Sequence, residues 1–259
     1  MPHRIIADLP YREATTETPD VGRCRLDLYL PQATRFPTLV FFHGGGLVEG
    51  TRAWIANLGV AFATQGIAVA AADYRFSPGV RYPAYVDDAA AAIAWMLRHI
   101  GEHGGDARQV VVGGHSAGAY LAALVGLDGS HLARHGHAPA DLAGLLPLSG
   151  QLIVHFNVRA ERGIPATTLQ IDAAAPLAHV HAGAPPCLFM AADGDLPPRP
   201  EENRYIAASL KALGVDATYR EIAGRDHSGI IDRASDAGDP AGEAMVAFIR
   251  RVTAARATA

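Results

Sequence analysis

The segment that most constrains this chain is Gly114-His115-Ser116-Ala117-Gly118, set between the apolar run 109–113 and the apolar helical stretch 119–127. A side chain presented on a strand-to-helix turn needs a strained backbone, and neighbouring side chains would collide there. Glycine at both flanks relieves the crowding. Such a turn lifts the Ser116 hydroxyl clear of a sheet and sets it beside the N-terminus of the following helix, where negative charge is favoured. In a chain with 27 glycines the bare pattern carries little weight. Its position after a strand and before a helix gives it that weight.

The rest of the chain fits such a sheet. Apolar bursts alternate with longer amphipathic stretches, the pattern of βαβ units. Strands are predicted at Arg25–Leu30, Thr38–Phe42, Ala68–Ala72, Gln109–Val112, Leu142–Leu146, Cys187–Ala191 and Ala217–Ile222. Several are unbroken apolar runs, as parallel strands covered on both faces should be. Helices are predicted at about 55–65, 83–100, 117–127, 200–213 and 241–255. The alternation of Leu26, Leu28 and Leu30 with Arg25, Asp27 and Tyr29 reads as a half-exposed antiparallel edge strand. Residues 150–183 lack a sheet pattern and read as a small insertion over the sheet, so one α/β domain is expected across residues 1–259.

Net charge is −4 with no run of like charge, so nucleic acid is not an expected partner. No segment has the length of a membrane span, and the N-terminus has no signal-like apolar stretch, so the cytoplasm is expected. Cys24 and Cys187 form neither a disulfide framework nor a zinc pattern, and Cys187 reads as a buried, inert thiol. His131, His135 and His137, like His179 and His181, read as ordinary surface or structural histidines. No metal and no cofactor is called for.

Three further segments complete a site with Ser116. His43-Gly44-Gly45-Gly46 ends the strand TLVFF, and glycines let backbone N–H groups approach a developing oxyanion. The N–H groups of Gly45, Gly46 and Ala117 would form the hole, with His43 pinning the loop. No Walker lysine or GxGxxG accompanies the loop to make it a phosphate cradle. The strand 185–192 runs into a loop bearing Asp193 and Asp195. Asp195, further beyond the strand's end, is favoured as the acid, with Asp193 the fallback. His227, in Gly-Arg-Asp-His-Ser-Gly, follows the strand 217–222 and supplies a base near neutral pH. The order Ser, Asp, His is that of the α/β-hydrolase triad. Leu47, Tyr120 and Phe156 are candidate substrate contacts, and His115 is expected to pack behind the serine, away from substrate.

These motifs resemble the esterase/lipase branch of α/β-hydrolases, which includes hormone-sensitive-lipase-like carboxylesterases and arylformamidases. The resemblance runs from residue 25 to the C-terminus. Leu26–Pro31 is similar to the branch's opening strand, and 73–78 (DYRFSP) to its tyrosine–arginine strand exit. Residues 82–96 resemble the helix before the nucleophile, with Asp88 and Trp95 at family positions. The match of 185–195 to the acid strand also places the acid at Asp195. The resemblance implies a mostly parallel sheet with helices on both faces, and a Ser116–Asp195–His227 triad cleaving a small-molecule carboxylic ester through an acyl-enzyme. The chain departs from hormone-sensitive-lipase-like relatives in having only 22 residues ahead of the match and a short 150–183 insertion. That reduced cap implies an open site and small, polar or polymer-borne esters. Leu47 stands where many relatives carry an aromatic residue. An arylformamidase or amidase on the same triad is the alternative, weakened because arylformamidases often carry an aromatic residue inside the glycine motif. A non-catalytic binding protein of this fold would usually lack a triad member. An edge strand could support a homodimer.

Overall fold

In the computed structural model, which describes residues 3–16, 18 and 20–257, eight strands form one sheet. They are β1 (His3–Pro10), β2 (Arg25–Pro31), β3 (Phe36–Phe42), β4 (Ala68–Ala72), β5 (Gly105–His115), β6 (Gly144–Leu148), β7 (Cys187–Gly194) and β8 (Ala217–Asp226), in the order β1-β2-β4-β3-β5-β6-β7-β8. Every pairing from β4 across to β8 is parallel, and β2 runs antiparallel to both its neighbours. The helices are α1 (Ala56–Ala63), α2 (Ala84–His99), α3 (Ala117–Leu127), α4 (Gly129–Ala133), α5 (Phe156–Glu161), α6 (Arg199–Ala212), α7 (Gly229–Asp232) and α8 (Pro240–Ala257).

Strand side chains alternate between two cores, because successive Cβ atoms leave a strand on opposite faces. Val40, Phe42, Val110, Val112 and Phe189 pack with α2, α3 and α6. Leu39, Phe41, Val111, Leu188 and Met190 pack with α1 and α8. Both faces are thus covered, which explains the unbroken apolar runs of β4 and β6. Cys24 and Cys187 are buried free thiols. Among the described residues no helix is long and apolar enough to cross a membrane.

The β2 expectation needs correction. Leu26, Leu28 and Leu30 do face one core, but β2 is not an edge, because β1 pairs along its outer side. Nor is its other face open throughout: Tyr29 is buried beneath α1, so close that a Cβ on Gly59 would sit 2.5 Å from its ring. β6 begins two residues later than the apolar run predicted, at Gly144, and β5 extends to His115. Residues 150–183 form α5, a 3-10 turn (Pro176–His179) and irregular chain.

Candidate active site

The site is assembled by strand register. Parallel pairing sets His115 of β5 opposite Leu148 of β6, so the next residues, Ser116 and Ser149, leave the sheet side by side. Parallel pairing of Gly194 with Asp226 does the same for Asp195 and His227 at the ends of β7 and β8. Ser116 holds φ 55° and ψ −115°, a conformation that costs a non-glycine residue free energy. The surroundings enforce it: its N–H donates to the Leu148 carbonyl at 2.9 Å, and α3 begins at the next residue. A Cβ on Gly118 would lie 2.1 Å from the Phe42 carbonyl oxygen, and one on Gly114 would lie 2.4 Å from Gly118. Both flanking positions therefore exclude any side chain.

The four groups converge on one hydrogen-bonded chain. His227 Nε2 lies 2.9 Å from Ser116 Oγ, and His227 Nδ1 lies 2.6 Å from Asp195 Oδ1. A carboxylate only accepts, so Nδ1 carries the proton and Nε2 is left to accept from the serine hydroxyl. The Asp195 side chain is fully buried. Burial alone would raise its pKa, but hydrogen bonds from His227 and Ser149 outweigh burial and hold the carboxyl below its usual range. The Ser149 hydroxyl donates to Oδ2, and the Leu196 N–H donates to Oδ1 at 2.7 Å. Asp226 shapes the His227 turn by accepting from the Gly229 N–H at 2.7 Å.

The glycine loop after β3 abuts the serine. A Cβ on Gly44 would stand 3.3 Å from Ser116 Cβ. Gly45, at φ 107°, could carry no side chain, since a Cβ there would fall 2.1 Å from the Glu49 carbonyl oxygen. The fully buried His43 ring pins the loop from beneath. It contacts the Gly44 carbonyl at 2.6 Å and Asp73 at 3.2 Å, and stacks on Tyr74 at 4.6 Å. Asp73 is in turn held by Arg52, whose backbone N–H donates at 2.7 Å. Gly45, Gly46, Ser116 and His227 line one cavity of about 550 Å³, with Trp54, Phe156, Leu196 and Arg199. Ala117 opens α3, so its N–H is among the first-turn donors that have no partner within the helix.

Several expectations meet different fates. Phe156, half exposed, lines the cavity. Leu47 does not: its left-handed backbone (φ 66°) turns the side chain into the core, fully buried. Tyr120 is also fully buried, and its hydroxyl donates to the Ala174 carbonyl at 2.9 Å, tying the insertion to α3. Asp193 spends its carboxylate on the N–H groups of Gly224 and Arg225 at 2.9 and 3.1 Å, stitching β7 to the end of β8. His115 does not turn away: it lines the cavity and its Nε2 lies 2.7 Å from the His227 carbonyl. Burial, then the neighbouring His227, lowers its pKa to about 4, so it is neutral and donates through Nε2.

Ser149 and Arg199 were missed by sequence reasoning. Ser149 follows an apolar run, as Ser116 does, but has a glycine on one side only, and the placing of β6 between β5 and β7 is what brings it to the acid. Arg199 lies in a proline-rich stretch that reads as a connector, although it opens α6 and is buried.

The BD-FAE family profile matches residues 26–140, which hold the glycine loop and the serine turn. Esterase LipQ of Mycobacterium tuberculosis is 29% identical over 252 residues, covering 88% of this chain and 59% of that protein. A probable isoprenylcysteine alpha-carbonyl methylesterase of Oryza sativa subsp. japonica is 35% identical over 156 residues, covering 56% of this chain and 37% of its own length. The chain thus spans less than two thirds of either curated relative. Among solved structures, an esterase of Thermogutta terrifontis superposes with a TM-score of 0.75 at 24% identity, covering 96% of this chain and 92% of that one. Sequence likeness across most of the chain and the shared fold agree: this chain has the α/β-hydrolase fold and is similar in sequence to esterases of its esterase/lipase branch.

Proposed function

We propose that the chain hydrolyses small carboxylic esters, with Ser116 as nucleophile, His227 as general base and Asp195 as the group that fixes and charges-balances the imidazole. The observation that carries this reading is the unbroken hydrogen-bonded chain from Asp195 through His227 to Ser116, opening into a cavity beside a glycine loop. His227 Nε2 takes the Ser116 proton as Oγ attacks the ester carbonyl. The N–H groups of Gly45, Gly46 and Ala117 receive the oxyanion, while Asp195 stabilises the imidazolium. The imidazolium then protonates the departing alkoxide, leaving an acyl-serine. Water, deprotonated by His227, attacks the acyl-serine and releases the acid. The curated relatives named as esterases and methylesterases support ester cleavage as the reaction class. The short 150–183 segment, with Phe156 on the cavity wall, supports compact or well-exposed esters over long acyl chains. A single catalytic unit, a cytoplasmic setting and pairing of two copies through an edge strand at either end of the sheet belong to the same proposal.

The test is labelling with a fluorophosphonate, followed by peptide mass spectrometry and side-by-side turnover of 4-nitrophenyl acetate and N-formylkynurenine. Modification confined to Ser116, with the ester cleaved far faster than the formamide, is the expected result. A dominant formamidase rate would move the assignment to the amide alternative. An unlabelled Ser116 with no turnover would leave a binding protein.

A further inference from the structure

Arg199 lines the cavity that holds Ser116 and His227, yet its side chain is among the least exposed charges in the molecule, at 5%. Its Nη1 is buried without a hydrogen-bond partner among the described residues. Burying a guanidinium is costly unless its donors are met. The other buried arginines have at least part of their fork engaged. Arg75 grips both oxygens of Asp88, at 2.7 and 2.8 Å, and Arg159, though its Nε lacks a partner, donates through Nη1 to the Ala166 and Thr168 carbonyls. No side-chain hydrogen bond holds the Arg199 guanidinium among the described residues, and it is the one that faces the cavity.

The local charge points the same way. Burial lowers the Arg199 pKa, as nearby Arg159 also does, while Glu202 and Asp195 act against this. Asp195 is already bonded to His227 and Ser149. Glu202 is anchored by Oε2 on the N–H groups of Leu152 and Ile153, at 2.5 and 3.2 Å. Both carboxylates are thus committed to other donors, and neither is hydrogen-bonded to the Arg199 guanidinium at the N-terminus of α6. Glu49 and Asp232 also line the cavity, but both are exposed, and water weakens their repulsion of an anion.

Resting on the esterase reading, we infer that Arg199 is a specificity determinant, its guanidinium pairing with a carboxylate carried by the substrate ester apart from the scissile bond. A planar fork of donors matches a carboxylate in two parallel hydrogen bonds, which a neutral group of similar shape cannot supply. The substrate is thus an ester retaining a free acid: a half-ester of a dicarboxylic acid, or an ester of a hydroxy-acid's hydroxyl.

Two substrate pairs separate these sources. On the acyl side, 4-nitrophenyl hemiglutarate is compared with 4-nitrophenyl hexanoate. On the alcohol side, 4-acetoxybenzoate is compared with 4-acetoxybenzamide. In one pair, the ratio of kcat/KM for the anionic over the neutral ester should fall ~10- to 100-fold in Arg199→Met, the loss expected for a charge-assisted hydrogen-bonded pair. Arg199→Lys, which keeps the charge without the fork, should fall between, and it carries the test should the Met variant fail to fold. A readout free of turnover is the shift in melting temperature given by glutarate or 4-hydroxybenzoate on Ser116→Ala protein, lost when Arg199→Met is added. Ratios and melting shifts both indifferent to Arg199 would overturn the inference. No ester cleaved by the parent protein, with an Arg199-dependent melting shift intact, would sink the esterase reading and leave the carboxylate site standing.

Discussion

The two walls of the cleft use their buried polar groups in opposite ways. On the glycine-loop side, His43 Nδ1 meets the Gly44 carbonyl, and Nε2, without a well-aligned hydrogen bond, faces Asp73 at 3.2 Å, which is held in turn by Arg52. On the side built from α5 and α6, Arg199 Nη1 at the cavity, and His155 Nε2, Arg159 Nε, Glu202 Oε1 and Asn203 Oδ1 behind it, are buried without hydrogen-bond partners among the described residues. A wall whose polar groups are largely engaged is rigid and serves a step common to every substrate, because its donors need not reorganise during reaction. A wall with unspent donors and acceptors is where a particular ligand can be told from another.

Substitutions can break this contrast or sharpen it. The largest effect is expected at the serine turn, where Ser116→Ala should lower kcat/KM for 4-nitrophenyl acetate by about 10⁴- to 10⁶-fold with melting temperature little changed. Next comes the acid: Asp195→Asn should cost roughly 10³- to 10⁴-fold, because an amide no longer enforces the Nδ1–H tautomer. The same change at Asp193 should stay within about threefold, and equal losses at both positions would mean that the β7–β8 register is misread here.

His115 ties the two walls through pH. Its folded pKa is about 4, against 6.5 for the free side chain, and burial is the main cause. Above pH 6.5 both states are neutral and the stability is fully present. As the pH falls from 6.5 towards 4, only the unfolded chain gains the proton, and stability is lost. Between pH 7 and 5 this single group should remove ~2 kcal/mol, or roughly 4–8 °C in melting temperature for a chain of this size. His115→Gln, which does not titrate there, should shrink that drop, and an unaltered pH slope would refute the assignment. A milder effect than at Ser116 or Asp195 is set for Ser149→Ala. Loss of its bond to Asp195 should lower kcat about tenfold and leave KM nearly unchanged, because the hydroxyl reaches the acid and not the substrate.

The glycine-loop wall and the triad were the legible part. Ser116 and Asp195 announce themselves because each follows an apolar run, His227 because it stands in a loop after a strand and before the last helix, and Gly45, Gly114 and Gly118 are demanded by backbone contacts that no side chain could survive. β2 was legible as antiparallel but not as an inner strand, since β1 alternates too weakly to reveal itself. Its residues are mostly exposed or half-buried. Leu47 and Tyr120 were misassigned because adjacency to a motif says nothing about the direction of a side chain. A positive φ turned one into the core, and helix α3 turned the other towards Ala174. Ser149 could not be found without knowing which strands are neighbours, because Asp195 lies far away in sequence, and Arg199 could not be found without knowing that the start of α6 lines the cavity.

The fastening of residues 150–183 has a consequence for how such a protein can change. Glu161 accepts from the Tyr82 N–H at 2.9 Å and the Tyr85 hydroxyl at 3.2 Å, and Tyr120 holds Ala174. With Glu202 of α6, which holds the N–H groups of Leu152 and Ile153, these tethers sit on α2, α3, α6 and the chain before α2. Leu152, Val154, Val158, Ala174 and Ala175 pack in the core, so the exposed stretch at about 160–172 is the part that can drift or lengthen, and selectivity can be rewritten there without disturbing the chemistry beneath it.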